Sequence, residues 1–288
     1  MKILLFGRNG MTGREVVRQS LAAGHVITAL GREEADLSDP AACAAIVAET
    51  DAQMVINAAA YTAVDRAEEE SSIAHVVNGE APGAMAKAAA DRDMPFVHIS
   101  TDYVFSSGHE RPHRPDDETT PANAYGASKL VGEEAIKAAG GQHVVLRTSW
   151  VFSADGNNFV KTMLRLAETR GELNVVADQV GGPTSARSIA AACLSLAEKL
   201  HTGVSGGTHH FSGAPDVSWA DFAREIFRQA ARDVKVNDIK TVDYPTPAKR
   251  PLNSRLDCES LSRKFGIERL DWREELSEVM KEMEAANG

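Results

Sequence analysis

Tyr125 and Lys129 stand four residues apart in the segment Pro121-Ala122-Asn123-Ala124-Tyr125-Gly126-Ala127-Ser128-Lys129. Read as a helix, that spacing sets both side chains on one face, where an ammonium can lower the pKa of a phenol. An unperturbed tyrosine titrates near ~10, too high to exchange protons readily at neutral pH, so a fixed positive neighbour matters. The pair can act as a proton relay. Its spacing alone is a weak signal, because Tyr and Lys meet at this interval by chance on many solvated helices.

Company for the pair lies upstream. Gly7-Arg8-Asn9-Gly10-Met11-Thr12-Gly13 is a GxxGxxG run between an apolar strand and an amphipathic helix. Glycines there let the backbone turn tightly and approach a pyrophosphate, which free amides and the helix dipole favour. Arg8 lies inside the loop, and Arg32 follows the second apolar run, where NAD sites often carry a ribose-binding acid. Two arginines there suit a 2′-phosphate and favour NADPH; solvated surface charge is the bland alternative. Asp36-Leu37 follows, where a carboxylate can accept from an adenine amine or simply start a helix. Ala58, Ala59, Ala60, Tyr61 and Thr62 end the third run with small side chains, leaving room for a ribose or nicotinamide, or for tight helix packing. In Ser100-Thr101-Asp102-Tyr103 the Thr101 hydroxyl can polarise a carbonyl while Tyr125 protonates it as hydride arrives. A threonine at a strand end is by itself often just a cap. Glycine loop, Thr101, Tyr125 and Lys129 in that order make a much stronger signal than any one of them.

The elements that must position these groups follow from periodicity. Short apolar runs predict strands at Ile3 to Phe6, Val26 to Leu30, Met54 to Ala58, Phe96 to Ile99 and Val144 to Arg147. Between them, helices are predicted over Gly13 to Ala23, Pro40 to Glu49, Ser72 to Asp91 and Ala124 to Ala139. This is an α/β pattern, a Rossmann-type doubly wound parallel sheet in residues 1–150, to which later segments contribute. Residues 151–288 read as a smaller C-terminal α/β lobe that binds substrate, with helices over Asn158 to Thr169, Ser188 to His201, Trp219 to Arg232 and Trp272 to Ala285. The Pro-rich stretch from Tyr244 to Pro251 cannot be regular helix or central strand.

The 288 residues carry a formal net charge of −10, which argues against nucleic acid or an anionic membrane as partner. A phosphorylated small molecule would need a local basic pocket. Cys43, Cys193 and Cys258 show neither disulfide nor zinc spacing, and no metal site is expected. The short apolar N-terminus is no signal peptide and no run approaches a membrane span, so a cytoplasmic location is expected.

These motifs resemble the extended short-chain dehydrogenase/reductases, and within them the dTDP-4-dehydrorhamnose reductase family. The resemblance spans nearly the whole chain. It is carried by the stretch from Asn57 to Glu68, by Ser100 to Phe105, by the Tyr125/Lys129 helix, by Arg147 to Phe152, by Gly156 to Phe159, by Asp178 to Thr184 and by Arg250 to Leu256. It implies NADPH-dependent reduction, with NADH also accepted, of the 4-keto group of dTDP-6-deoxy-L-lyxo-4-hexulose to dTDP-L-rhamnose. Tyr125 would be the proton donor, with Lys129 as its partner and ribose ligand. Substrate contacts are implied at Thr101, Asp102, Tyr103, Asn158 and Trp150, the last by stacking. Arg250, Asn253, Ser254 and Arg255 match a diphosphate or base contact. The family also implies a homodimer, and in some members Mg2+ at acidic residues of the dimer contact. Glu15 matches one such acid, but Arg187 stands where another is expected, and a guanidinium cannot ligate a cation; Glu15 is read as a solvated helix residue.

Two rival readings share parts of this pattern. An epimerase or 4,6-dehydratase uses the same loop and Tyr/Lys pair, but a dehydratase needs a second acid beside the threonine, and Tyr103 follows Asp102 here. The regulatory subunit of methionine adenosyltransferase shares the fold without catalysis, and retention of Tyr125 and Lys129 does not exclude that role.

Overall fold

The computed structural model describes residues 1–106 and 108–287. The chain opens with β1 (Lys2–Phe6), α1 (Met11–Ala22), β2 (Val26–Leu30), α2 (Pro40–Glu49) and β3 (Met54–Asn57). Next come α3 (Ser71–His75), a π-helical turn at Val76–Glu80, α4 (Ala81–Ala90), β4 (Phe96–Thr101), α5 (Ala124–Ala139) and β5 (His143–Thr148). The later part contains β6 (Val151–Phe152), α6 (Phe159–Ala167), β7 (Glu172–Val176), β8 (Val180–Gly181), β9 (Thr184–Ser185), α7 (Ala186–His201) and β10 (Gly207–His210). It ends with β11 (Val217–Ser218), α8 (Trp219–Gln229), β12 (Lys235–Ile239), β13 (Asn253–Ser254), α9 (Glu259–Phe265) and α10 (Trp272–Asn287).

Six strands form the central sheet in the order β2-β1-β3-β4-β5-β10, every neighbouring pair parallel. Alternation along the strands sorts the core into two layers. Ile3 and Leu5 face α1 and α7, while Leu4 and Phe6 face α2, α4 and α5. The sheet is thus a doubly wound, Rossmann-type α/β layer. Its strand order reverses between β1 and β3, and the crevice beyond their carboxyl ends is where such folds bind ligands. The sheet is completed from beyond residue 150, since α7 covers one face and β10 pairs with β5.

The remaining segments build a second core from Phe152, Leu173, Phe222, Ile226, Trp272 and Leu276, under α6, α8 and α10. Its strands are short: β8 joins β11 antiparallel and β13 parallel, and β7 pairs with β12. Tyr244 to Pro251 carries no helix or strand.

The helix expected over Ser72 to Asp91 is interrupted. Pro82 has no N–H for the Asn78 carbonyl, so the winding widens to a π-turn there. That turn lets α5 approach closely: a Cβ on Gly132 would lie 2.1 Å from Asn78 O. Among the described residues, no helix is long and apolar enough to cross a membrane.

Candidate active site

A cleft of about 860 Å3 opens at the carboxyl ends of β1, β3 and β4, and Gly10, Ala59, Thr101, Tyr125, Lys129 and Trp150 all lie on its wall. Glycine loop, threonine, tyrosine and lysine therefore share one space.

At the end of the cleft where Tyr125 and Lys129 stand, α5 is set by its cap. Asn123 Oδ1 accepts from Gly126 N at 2.8 Å, and its Nδ2 donates to Lys249 O at 2.9 Å, tying the helix start to the Pro-rich loop. Gly126 is required by close approach, since a Cβ there would stand 2.1 Å from Tyr103 O. The Tyr103 and Tyr125 rings meet edge to face at 5.5 Å. Tyr125 keeps some exposed surface, but its hydroxyl lies deep, and burial pushes the phenol well above the ordinary tyrosine range; the Thr101 hydroxyl bonds it and pulls the other way. Lys129 is buried, with Nζ 2.9 Å from His98 Nε2 and 2.8 Å from Ile99 O, and burial lowers it to about 8. The expected lowering of the phenol by Lys129 is thus corrected. The amine spends its hydrogen bonds on β4, and desolvation governs Tyr125.

Asp102 is buried beside them. Its Oδ1 accepts from Thr101 Oγ1 at 3.1 Å, the Ser254 hydroxyl bonds the same carboxyl, and Oδ2 has no partner among the described residues. Burial raises this carboxyl to about 6.

At the other end of the cleft, Gly7 holds φ 94°, and a Cβ on it would lie 2.6 Å from Ala59 N. A Cβ on Gly13 would sit 2.0 Å from Gly7 O, so Gly13 packs the loop instead of lining the cleft. No side chain caps α1 at Gly10, which leaves first-turn amides and the positive end of the helix dipole toward the cleft. Asn9, Met11 and Thr12 line this end too. Those features fit a pyrophosphate. Arg32 lines the cleft and is 81% exposed, with Nε 3.2 Å from Asp36 Oδ2. Asp36 also accepts from Ser38 N at 2.9 Å, the helix-start turn, and Leu37 is buried beneath it. Arg8 is turned off the wall toward Glu34 at 2.7 Å and Ala29 O at 3.3 Å. Ala58, Ala60 and Thr62 line the middle of the cleft with Tyr61, whose amide and carbonyl are held by Asn78 at 2.8 and 3.0 Å.

On the side of the second lobe, Trp150 has φ 49° and stacks on Trp219 at 3.7 Å. One indole face is therefore already covered by protein. Arg250, Asn253, Ser254 and Arg255, expected at a diphosphate or base contact, are not on the wall of this cleft. Arg250 bonds Tyr103 Oη at 2.9 Å and Asp65 at 2.8 Å. Asn253 Nδ2 donates to the carbonyls of His109 and Arg111, both at 2.8 Å. Arg255 reaches Glu110 O at 2.7 Å, and Ser254 serves Asp102. The demand of loop carbonyls for donors turns Asn253 and Arg255 toward them. Asn158 is likewise spent as the N-cap of α6, accepting from Lys161 N at 3.2 Å.

This geometry matches known proteins throughout. Residues 1–285 fit the family model described as RmlD substrate binding domain. The chain is 46% identical over 286 residues to the dTDP-4-dehydrorhamnose reductase of Burkholderia thailandensis, covering 95% of this chain and 96% of that one. The chain belongs to the dTDP-4-dehydrorhamnose reductase family. Among solved structures, a dTDP-4-dehydrorhamnose reductase from Clostridium acetobutylicum superposes with TM-score 0.93 at 39% identity, over 99% of this chain and 100% of that one. The dTDP-4-dehydrorhamnose reductase of Bacillus anthracis, solved in complex with NADP, gives TM-score 0.90 at 32% identity over 98% and 99%.

For this member of the dTDP-4-dehydrorhamnose reductase family, the acid set for a bridging magnesium does not fit. Glu15 is buried, a correction to its expected solvation, and its carboxylate bonds Arg18 at 2.5 Å and Gln19 at 3.2 Å. Arg187 stands 3.8 Å from Glu282. His109, His113 and Asp117 also cluster, but Asp117 already holds the Arg111 fork at 2.7 and 2.8 Å and Arg114 N at 2.7 Å. Residues missed from sequence include His98, Asn78, Trp219 and the buried Glu133–Arg147 pair at 2.6 Å. A polar residue inside an apolar strand, as with His98 in Phe96-Val97-His98-Ile99 and Arg147 in β5, was the available signal.

Proposed function

We propose that this chain reduces the 4-keto group of dTDP-4-dehydro-L-rhamnose to dTDP-L-rhamnose with NADPH. Family membership over nearly the full length, combined with Thr101, Tyr125 and Lys129 on the cleft that the glycine loop enters, carries the reading. The loop amides from Gly7 to Thr12 would hold a pyrophosphate, Arg32 a 2′-phosphate, and Lys129 a ribose. Glu34 beside Arg8 and Asp36 beside Arg32 weaken the positive field, so NADH is accepted as well. When bound, the reduced nicotinamide supplies the hydride. Tyr125 gives its phenolic proton to the keto oxygen, and the Thr101 hydroxyl hydrogen-bonds that oxygen. Burial keeps the Tyr125 phenol protonated and makes it a weaker acid, so its proton leaves only as the keto oxygen becomes strongly basic on hydride arrival. Trp150, backed by Trp219, offers its free surface to the sugar nucleotide.

The test is a coupled assay in which the 4-keto-L-sugar is generated enzymatically and cofactor oxidation is followed. Tyr125→Phe is expected to lower kcat by about a hundredfold or more while the protein stays folded. Full activity of that variant would remove Tyr125 from the proton path.

A further inference from the structure

His98 and Asn57 lie wholly inside the protein behind the cleft. Asn57 Oδ1 accepts the Ala59 amide at 3.0 Å, which fixes the orientation of its carboxamide. The donor Nδ2 therefore faces His98 Nδ1, 3.0 Å away. Nδ1 must accept, so the single proton of a neutral imidazole sits on Nε2. That Nε2–H points at Lys129 Nζ, 2.9 Å distant. An ammonium has donors and no acceptor, so it would oppose one N–H with another in the core. A neutral amine accepts through its lone pair and still donates to Ile99 O at 2.8 Å. The path Ala59–Asn57–His98–Lys129–Ile99 is satisfied in one direction only.

We propose that His98, fixed by Asn57 as the Nε2–H tautomer, is a positioning residue that stabilises the neutral amine of Lys129. This rests on the reading of Lys129 as the partner of Tyr125 in reduction. When Tyr125 has given its proton to the keto oxygen, the Lys129 ammonium returns one to the phenolate: an N–H bond breaks, an O–H bond forms, and the amine remains. His98 N–H receives that amine, and solvent reprotonates it for the next turnover. The titratable and charged groups around Lys129 act in both directions. Glu133 on α5 favours the charged form but is itself paired with Arg147 on β5; Tyr125 on α5 is neutral; His98 on β4 is kept neutral by burial, to which Lys129 adds only while it is charged. Burial of the amine adds to the effect of His98.

Two measurements test the proposal. Long-range proton–nitrogen NMR on histidine-labelled protein, above the Lys129 pKa of about 8 where the amine is neutral, should show one ring, assigned by its loss in His98→Gln, with Nε2 protonated and Nδ1 bare. The Nδ1–H tautomer or an imidazolium overturns the proposal, whatever the protein turns over. In the pH profile of kcat for reduction, His98→Gln, which can offer a carbonyl to Nζ, should move the alkaline limb upward by about one pH unit. The sugar KM should change less than about twofold. A fall in kcat at every pH with the limb unmoved makes His98 merely structural and overturns the proposal. Absence of any turnover would instead count against the proposed reaction, leaving the tautomer to decide the role of His98.

Discussion

At the scale of single residues, burial sets the chemistry more than pairwise charge does. Asp102 shows this in a form that can be measured. Its carboxyl binds a proton more tightly folded than unfolded, with a pKa raised from 3.8 to about 6. The resulting loss of stability is absent below the unfolded pKa, grows between the two values and is complete above about 6. Asp102→Asn keeps an acceptor for Thr101 and Ser254 and removes the ionisation. It should therefore raise unfolding stability by ~2–3 kcal/mol at alkaline pH and change it little in acid. Urea unfolding at both pH values checks this, and a variant less stable than the parent at alkaline pH would contradict it. Arg32 is the residue-scale test of cofactor choice. Arg32→Ala should weaken NADPH by about tenfold and NADH much less, whereas Arg8→Ala should act mainly through the lost Glu34 pair. Equal losses for both cofactors would sink the 2′-phosphate assignment.

Elements were legible in the sequence where periodicity and packing agree. β2, α2 and α5 have the expected bounds, because the residue patterns that predict them lie within each element. The break before α4 was not legible as a break, since Pro82 reads equally as a first-turn proline until Asn78 is seen holding Tyr61. Short strands such as β8 and β13 exist by tertiary pairing alone, which no local pattern encodes. The cleft was legible in the same uneven way. Glycine loop and Tyr125 helix have fixed local geometries, while the turn of Asn253 and Arg255 depends on carbonyls far away in sequence, those of His109 and Glu110 among them. The loop–α1 junction gives the element-scale prediction. With a Cβ 2.0 Å from Gly7 O, Gly13→Ala must displace the loop, and NADPH affinity measured by fluorescence titration should fall by about tenfold or more. Unchanged affinity would show that the loop geometry does not determine binding.

For the molecule as a whole, the cleft depends on two lobes that the chain threads together. α7 and β10 return to complete the sheet, Arg250 ties the Pro-rich segment to Tyr103 and Asp65, and the buried Glu133–Arg147 pair joins α5 to β5 beneath the site. Thr101, Tyr125 and Lys129 come from the sheet layer, while Trp219, which backs Trp150, comes from the second core. Family membership and the geometry of the cleft together assign this assembly the reduction of a dTDP-4-keto sugar. Incubation of the purified protein with dTDP-6-deoxy-L-lyxo-4-hexulose and NADPH, with products resolved by NMR, reads this reaction out. dTDP-L-rhamnose is expected to form in proportion to NADPH oxidised. Recovery of the unreduced ketosugar with either NADPH or NADH would contradict it.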